Sequence, residues 1–242
     1  AQASRKDVRD AVAAARTAFG GWAGRTAYNR AQILYRIAEM LEGRRDQFTA
    51  EVRHTGTSKP QAAAQVDAAI DRWVWYAGWA DKIGAVAGAA NPVAGPYFNF
   101  SSPEPAGVVA VIAPDSPLLG LVSVLAPAIV TGNTTVVVAS QPAPLAAITL
   151  AEVLATSDLP AGVVNILTGH RTELAPWLAS HMDVNAIDLT GIPAEHVQEL
   201  EDKAAGNLKR VFRAADDWTK DPTTTRMTAF LETKTVWHPV GV

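Results

Sequence analysis

Glu104-Pro-Ala-Gly-Val-Val-Ala-Val-Ile-Ala-Pro-Asp-Ser-Pro-Leu118 opens the stretch, running on to Ser140, whose reading decides the fold. Val108 to Ala113 is an unbroken run of β-branched and small apolar residues, closed by the turn Pro114-Asp-Ser-Pro117. An apolar helix is expected over Leu118 to Val130, stopping at Thr131-Gly-Asn133. Thr134 to Val138 is a second apolar run. Strand, helix and strand, bounded by Pro and Gly, make one βαβ unit of a parallel sheet, since strands covered on both faces read as continuous apolar runs.

Working outward, the pattern repeats towards the carboxyl end. Helices are expected up to Ala155, from Thr172 to Ser180 (using Leu174, Trp177 and Leu178) and from Glu195 to Asn207. They alternate with strands at Val163 to Leu167 and Ala186 to Leu189. Such alternation predicts an α/β fold with a Rossmann-like, doubly wound parallel sheet. Towards the amino end, Val8, Val12, Ala15 and Phe19 mark an amphipathic helix from Asp7, with Ser4 as N-cap and Gly20-Gly21 as its stop. Further helices are expected at Thr26 to Glu42, at Asp46 to Val52 and after Pro60. Trp73, Trp75, Tyr76 and Trp79 sit at helical spacing, which favours packing over a ligand cage. Gly84 to Pro96 reads as a loop, and Tyr97 to Phe100 as a short pairing strand.

The resulting division is a helical part at 1–90, a connector with a candidate oligomerisation strand at 91–103 and an α/β core at 104–211. A linker at 212–225 and a carboxyl-terminal strand at 226–242 complete it. The tail alternates, with Met227, Ala229, Leu231, Thr233, Thr235 and Trp237 on one side and Phe230 and Val236 on the other.

Composition excludes several classes. With 21 basic and 24 acidic residues and a net charge of -3, there is no cationic excess to bind nucleic acid. No cysteine is present, which rules out disulfides, thiolate metal sites and a thiol nucleophile in this chain. The five histidines, His54, His170, His181, His196 and His238, show no paired spacing of a metal site. Asp216-Asp217 reads as a solvated turn. The apolar run Pro117 to Val130 is too short to span a bilayer, so no membrane association and a cytoplasmic location are expected.

Several motifs in order resemble the aldehyde dehydrogenase superfamily: EP-GVV at Glu104, Ala126-Pro-Ala with Gly132-Asn-Thr, Leu159-Pro-Ala-Gly-Val-Val-Asn with Thr168-Gly169, and Leu189-Thr-Gly191. The likeness implies a nucleotide-binding domain from Asp7 to Val211. It also implies a missing catalytic domain after Val211, and a tail, Glu232-Thr-Lys-Thr-Val-Trp-His-Pro239, similar to the family's oligomerising strand. Pro114-Asp-Ser-Pro-Leu-Leu119, Trp79-Ala-Asp-Lys82 and the Lys-Thr-Val-Trp-His-Pro ending look like the non-catalytic second unit of aldehyde dehydrogenase family 16.

That resemblance sets expectations about chemistry. The family's thiolate and its base have no counterpart, and its oxyanion turn is here Pro114-Asp-Ser-Pro117, whose acid would repel an oxyanion. Vestigial cofactor positions are Pro114, Ser140, Gln141, Gly169, Thr190 and Gly191. Val138 stands where the family has a ribose-binding Lys, and Ile192-Pro193 crowds the pyrophosphate loop. The expectation is therefore no cofactor on this chain, with NAD or NADP on a partner. A residual NAD(P)-sensing module is the alternative. The expected partner is a full-length aldehyde dehydrogenase subunit, a copy of this chain, or both. Its expected interface comprises Tyr97, Phe98, Phe100, Met227, Phe230, Leu231, Thr233, Thr235, Val236 and Trp237.

Overall fold

A computed structural model describes residues 1–241. Five helices come first: α1 (Arg5–Ala23), α2 (Ala27–Glu42), α3 (Arg45–Arg53), α4 (Lys59–Ala77) and α5 (Ile83–Ala87). β1 (Ala89–Asn91) and β2 (Tyr97–Pro105) follow. The α/β core is β3 (Val108–Ile112), α6 (Leu119–Val130), β4 (Thr134–Val138), α7 (Leu145–Ala155), β5 (Val164–Leu167), α8 (Arg171–Ser180), β6 (Ala186–Asp188), α9 (Ala194–Ala205) and β7 (Arg210–Phe212). The chain closes with α10 (Thr225–Ala229) and β8 (Leu231–Pro239).

The core sheet is parallel, in the order β5-β4-β3-β6-β7. Every residue of β3 and β4 is buried, as the continuous apolar runs require. One face of the sheet packs on α6 and α7, with α2, α3 and α4 outside them, while α1, α8 and α9 cover the other. All twelve residues of α6 are buried because it lies between the sheet and α4. Pro127 removes one N–H from α6, and the helix's last carbonyls find partners elsewhere. Trp22 Nε1 donates to Ile129 O at 2.9 Å and Arg30 Nε to Val130 O at 3.0 Å.

Those contacts explain one departure from the sequence reading. Helix α1 runs through Gly20-Gly21 to Ala23, because burying Trp22 against α6 outweighs the propensity cost of two glycines. Its start is as read, with Ser4 N–H donating to Asp7 Oδ2 at 2.8 Å. Trp73 is fully buried, and Trp75 and Trp79 pack on the same core. Gly84 to Pro96 is not only loop: it holds α5's turn and β1, which pairs antiparallel with β2. Trp177 does not join the core under α8. It is exposed, with the Arg5 guanidinium 4.1 Å above its ring.

The tail differs more. Met227 lies in the helical turn α10, and Met227 and Phe230 are fully buried against the core, with Leu231 beside them. These three are core anchors, not interface residues. The strand begins at Leu231 and pairs antiparallel with β2 along its whole length, giving a three-stranded sheet in the order β1-β2-β8.

Candidate functional site

In an open parallel sheet the chemistry-bearing crevice lies at the carboxyl ends of the strands, where the strand order reverses. Here that point is between β3 and β6. The turn after β3 carries Pro114 and Asp115, the loop after β4 carries Ser140 and Gln141, and Thr190-Gly191 follows β6. Gly169 ends the β5 loop, under the amino-terminal residue Ala3. Four of the six sequence-derived positions thus meet at one edge: Pro114, Ser140, Thr190 and Gly191.

What fills that edge is protein. The Arg171 guanidinium at the start of α8 donates to Gly191 O and to the Asp115 carboxylate. Ser140 Oγ donates to Asp115 Oδ1 at 3.0 Å, while Gln141 is exposed. Gly191 N–H donates to Ile112 O at 2.9 Å. A Cβ at Gly191 would lie 2.1 Å from Ala113 O, so the loop is seated directly on the end of β3. Pro193, the N-cap of α9, contributes no N–H, and Glu195 places an acid in the helix's first turn. A nicotinamide dinucleotide needs free donors for its pyrophosphate. This edge offers an exposed acid, a seated glycine and a guanidinium already engaged.

A second polar cluster lies on the β6 side. Asp188, fully buried on β6, pairs with Arg226 of α10. Arg226 also pairs with Asp216, donates to Thr190 Oγ1 at 3.1 Å and sits 4.6 Å over the Phe212 ring. Burial pushes the Asp188 carboxyl above the ordinary carboxylate range, against the pull of the Arg226 charge and the Thr190 hydrogen bonds. Asp216 is therefore a structural ion-pair partner and not a solvated turn, whereas Asp217 caps its own turn through Thr219 N–H at 3.1 Å. The cluster clamps the 213–224 strap across the edge where β6 and β7 end. Arg72 of α4 holds the same strap, donating to Trp218 O at 3.2 Å and Lys220 O at 2.9 Å.

Sequence reasoning passed over Arg72, Arg171, Asp188 and Arg226. Asp188 carried a signal: a charge inside the apolar run Ala186 to Leu189 demands a buried partner. The arginines carried none, since their partners are 10 to 148 residues away and follow no local spacing.

The three-stranded sheet forms a separate surface. Its register places Tyr97, Asn99 and Ser101 beside Pro239, Trp237 and Thr235 on one face, and Phe98 and Phe100 beside His238 and Val236 on the other. Tyr97 and Trp237 meet edge to face at 5.8 Å, and Phe100 stacks on His238 at 5.8 Å. Tyr97, Phe98 and Trp237 are 46%, 55% and 56% exposed. Thr233 and Thr235 are exposed as well, and Phe100 and Val236 half-buried. The outer edge of β8 pairs with no strand among the described residues.

Residues 1–214 match the aldehyde dehydrogenase family. The chain belongs to that family. It is 35% identical over 218 residues to the cytosolic aldehyde dehydrogenase 1 of Elephantulus edwardii, covering 87% of this chain and 42% of that relative. It is 34% identical over 216 residues to the putative aldehyde dehydrogenase DhaS of Bacillus subtilis, covering 87% and 43%. Among solved structures, HpcC from Thermus thermophilus superposes with a TM-score of 0.82 at 32% identity, covering 88% of this chain and 41% of that one. The NAD+ complex of an aldehyde dehydrogenase from Bacillus cereus gives 0.82 at 29% identity, covering 88% and 43%. The chain thus spans less than half the length of the relatives it matches. Among the described residues, no helix is long and apolar enough to cross a membrane.

Proposed function

We propose that this chain is a catalytically inactive aldehyde dehydrogenase-like subunit that assembles with a full-length, NAD(P)-dependent aldehyde dehydrogenase and supports or regulates it. The supporting observation is the three-stranded sheet, with exposed aromatic residues on both faces and an open nine-residue edge at β8. A small sheet with aromatic residues exposed on both faces is marginal in water, and an open edge is an aggregation hazard. A partner that extends β8 and covers Tyr97, Phe98 and Trp237 relieves both problems. A second copy of this chain is the other occupant, alone or within the same assembly.

Inactivity is inferred from this chain's own residues. It has no cysteine to attack a carbonyl, and Asp115 beside Arg171 stands in the turn after β3. The fit of the strand-end residues argues that NAD or NADP is carried by the partner. Likeness to the non-catalytic unit of aldehyde dehydrogenase family 16 supports a degenerate unit that works beside an active one. Co-expression with a cysteine-bearing family member, followed by size exclusion and mass measurement, tests the reading. Recovery of this chain as a monomer beside an unaltered enzyme refutes it.

A further inference from the structure

Among the described residues three arginines are almost wholly buried: Arg72, Arg171 and Arg226, 8%, 8% and 5% exposed. Arg171 pairs with Asp115, and Arg226 with Asp188 and Asp216. Among the described residues Arg72 has no carboxylate within ion-pair distance. Its recorded acceptors are neutral: Ser123 Oγ at 2.9 Å, Trp218 O at 3.2 Å and Lys220 O at 2.9 Å. These bonds engage about three of the five N–H groups a guanidinium carries. A desolvated cation hydrogen-bonded only to neutral groups is costly even with the Asp216 and Asp221 charges nearby, and an incoming carboxylate is the strongest completion open to it.

Arg72 also lines a groove of about 840 Å³ between α4 and the 213–224 strap. Its apolar wall is made by Ala64, Ala68, Trp75, Leu119 and Trp218. Gln65 lines the same groove, and its Oε1 is buried without a hydrogen-bond partner, leaving an acceptor for a hydroxyl or N–H. Asp71 and Asp221 stand exposed at the rim, so a polyanion such as a phosphate ester meets repulsion there. Apolar walls with a few fixed polar groups are the usual make-up of a small-molecule site.

We propose that this groove binds a small amphiphilic monocarboxylate, its carboxylate on Arg72 and its apolar body between Trp75 and Trp218. The site needs nothing from the three-stranded sheet, so it stands or falls apart from the assembly described above.

The experiment titrates the purified chain with octanoate, octan-1-ol and octylamine, read by tryptophan fluorescence and calorimetry. Octanoate is expected to bind saturably, with the alcohol and the amine at least about tenfold weaker. Ala64→Trp fills the groove while leaving every hydrogen bond of Arg72 in place. It is expected to weaken octanoate by at least about tenfold with an unchanged circular dichroism spectrum. Arg72→Met, wherever it folds, should abolish the preference for the acid over the alcohol. No saturable binding of octanoate, equal binding of alcohol and acid, or octanoate binding untouched by Ala64→Trp would each overturn the proposal.

Discussion

The Arg226 guanidinium is ion-paired with the Asp188 carboxylate in the interior of the molecule, joining the helical turn before β8 to the end of β6. Removing one member leaves a buried charge alone. Arg226→Met is therefore expected to destabilise the chain by about 3–5 kcal/mol, read from urea unfolding. Replacing both, Arg226→Met with Asp188→Leu, should recover most of that loss. If the double variant is as unstable as the single, the pair is not the reason for the loss.

Asn133 makes a parallel connection. Its Oδ1 accepts from Gly107 N–H at 2.9 Å, and its Nδ2 donates to Thr131 Oγ1 at 2.9 Å and to Phe230 O at 3.0 Å. Asn133→Ala strands the buried Gly107 N–H, at about 1–3 kcal/mol, and takes from Phe230 O one of its two hydrogen bonds, leaving that from Ala106 N–H. Hydrogen exchange should accelerate across β8 more than across β3. Uniform acceleration would show that Asn133 does not hold the tail in particular.

Lys209 gives a pH signature. Burial pulls its ammonium pKa down to about 8. Between that value and the unfolded lysine value of roughly 10.4, the unfolded chain binds the extra proton, so stability rises with pH across this window. The slope from this group is at most about 1.4 kcal/mol per pH unit. Lys209→Met should raise the melting temperature at pH 7 and remove its share of the rise between pH 8 and pH 10. A variant with the parental pH dependence would contradict the assignment.

NAD+ or NADP+ at millimolar concentration should leave the melting temperature of this chain unchanged, because a ligand that binds only the native state must raise it. A dose-dependent rise would instead favour the sensing alternative.

The core was legible in the sequence because its signals were local. Pro, Gly and Asn bracket β3, α6 and β4, and the observed ends fall within a residue of the reading. The stop set at Gly20-Gly21 failed because Trp22 docks on α6, a contact 107 residues away. β7 was missed because Arg210–Phe212 is three residues long and only half-buried, too short to show a period. Met227 and Phe230 read as strand because a short apolar pattern suits either period. At i and i+3 they also share one face of a helical turn, which is how the core takes them. At the strand ends, the loops could be placed from the sequence. What occupies them could not, since Arg171 and Arg226 arrive from distant segments.

On the interface, Val236→Asp with Trp237→Ala should abolish assembly while leaving the chain's own melting transition nearly unchanged, since both residues lie beyond the buried anchor Leu231. A lower melting temperature without loss of assembly would make the sheet an internal structural element.

Native mass spectrometry of this chain co-expressed with a full-length, cysteine-bearing aldehyde dehydrogenase is the most direct measurement. We predict one complex containing both polypeptides, which falls apart when Val236 and Trp237 are changed. Separate species, with this chain free and the enzyme in its own oligomer, would contradict the account.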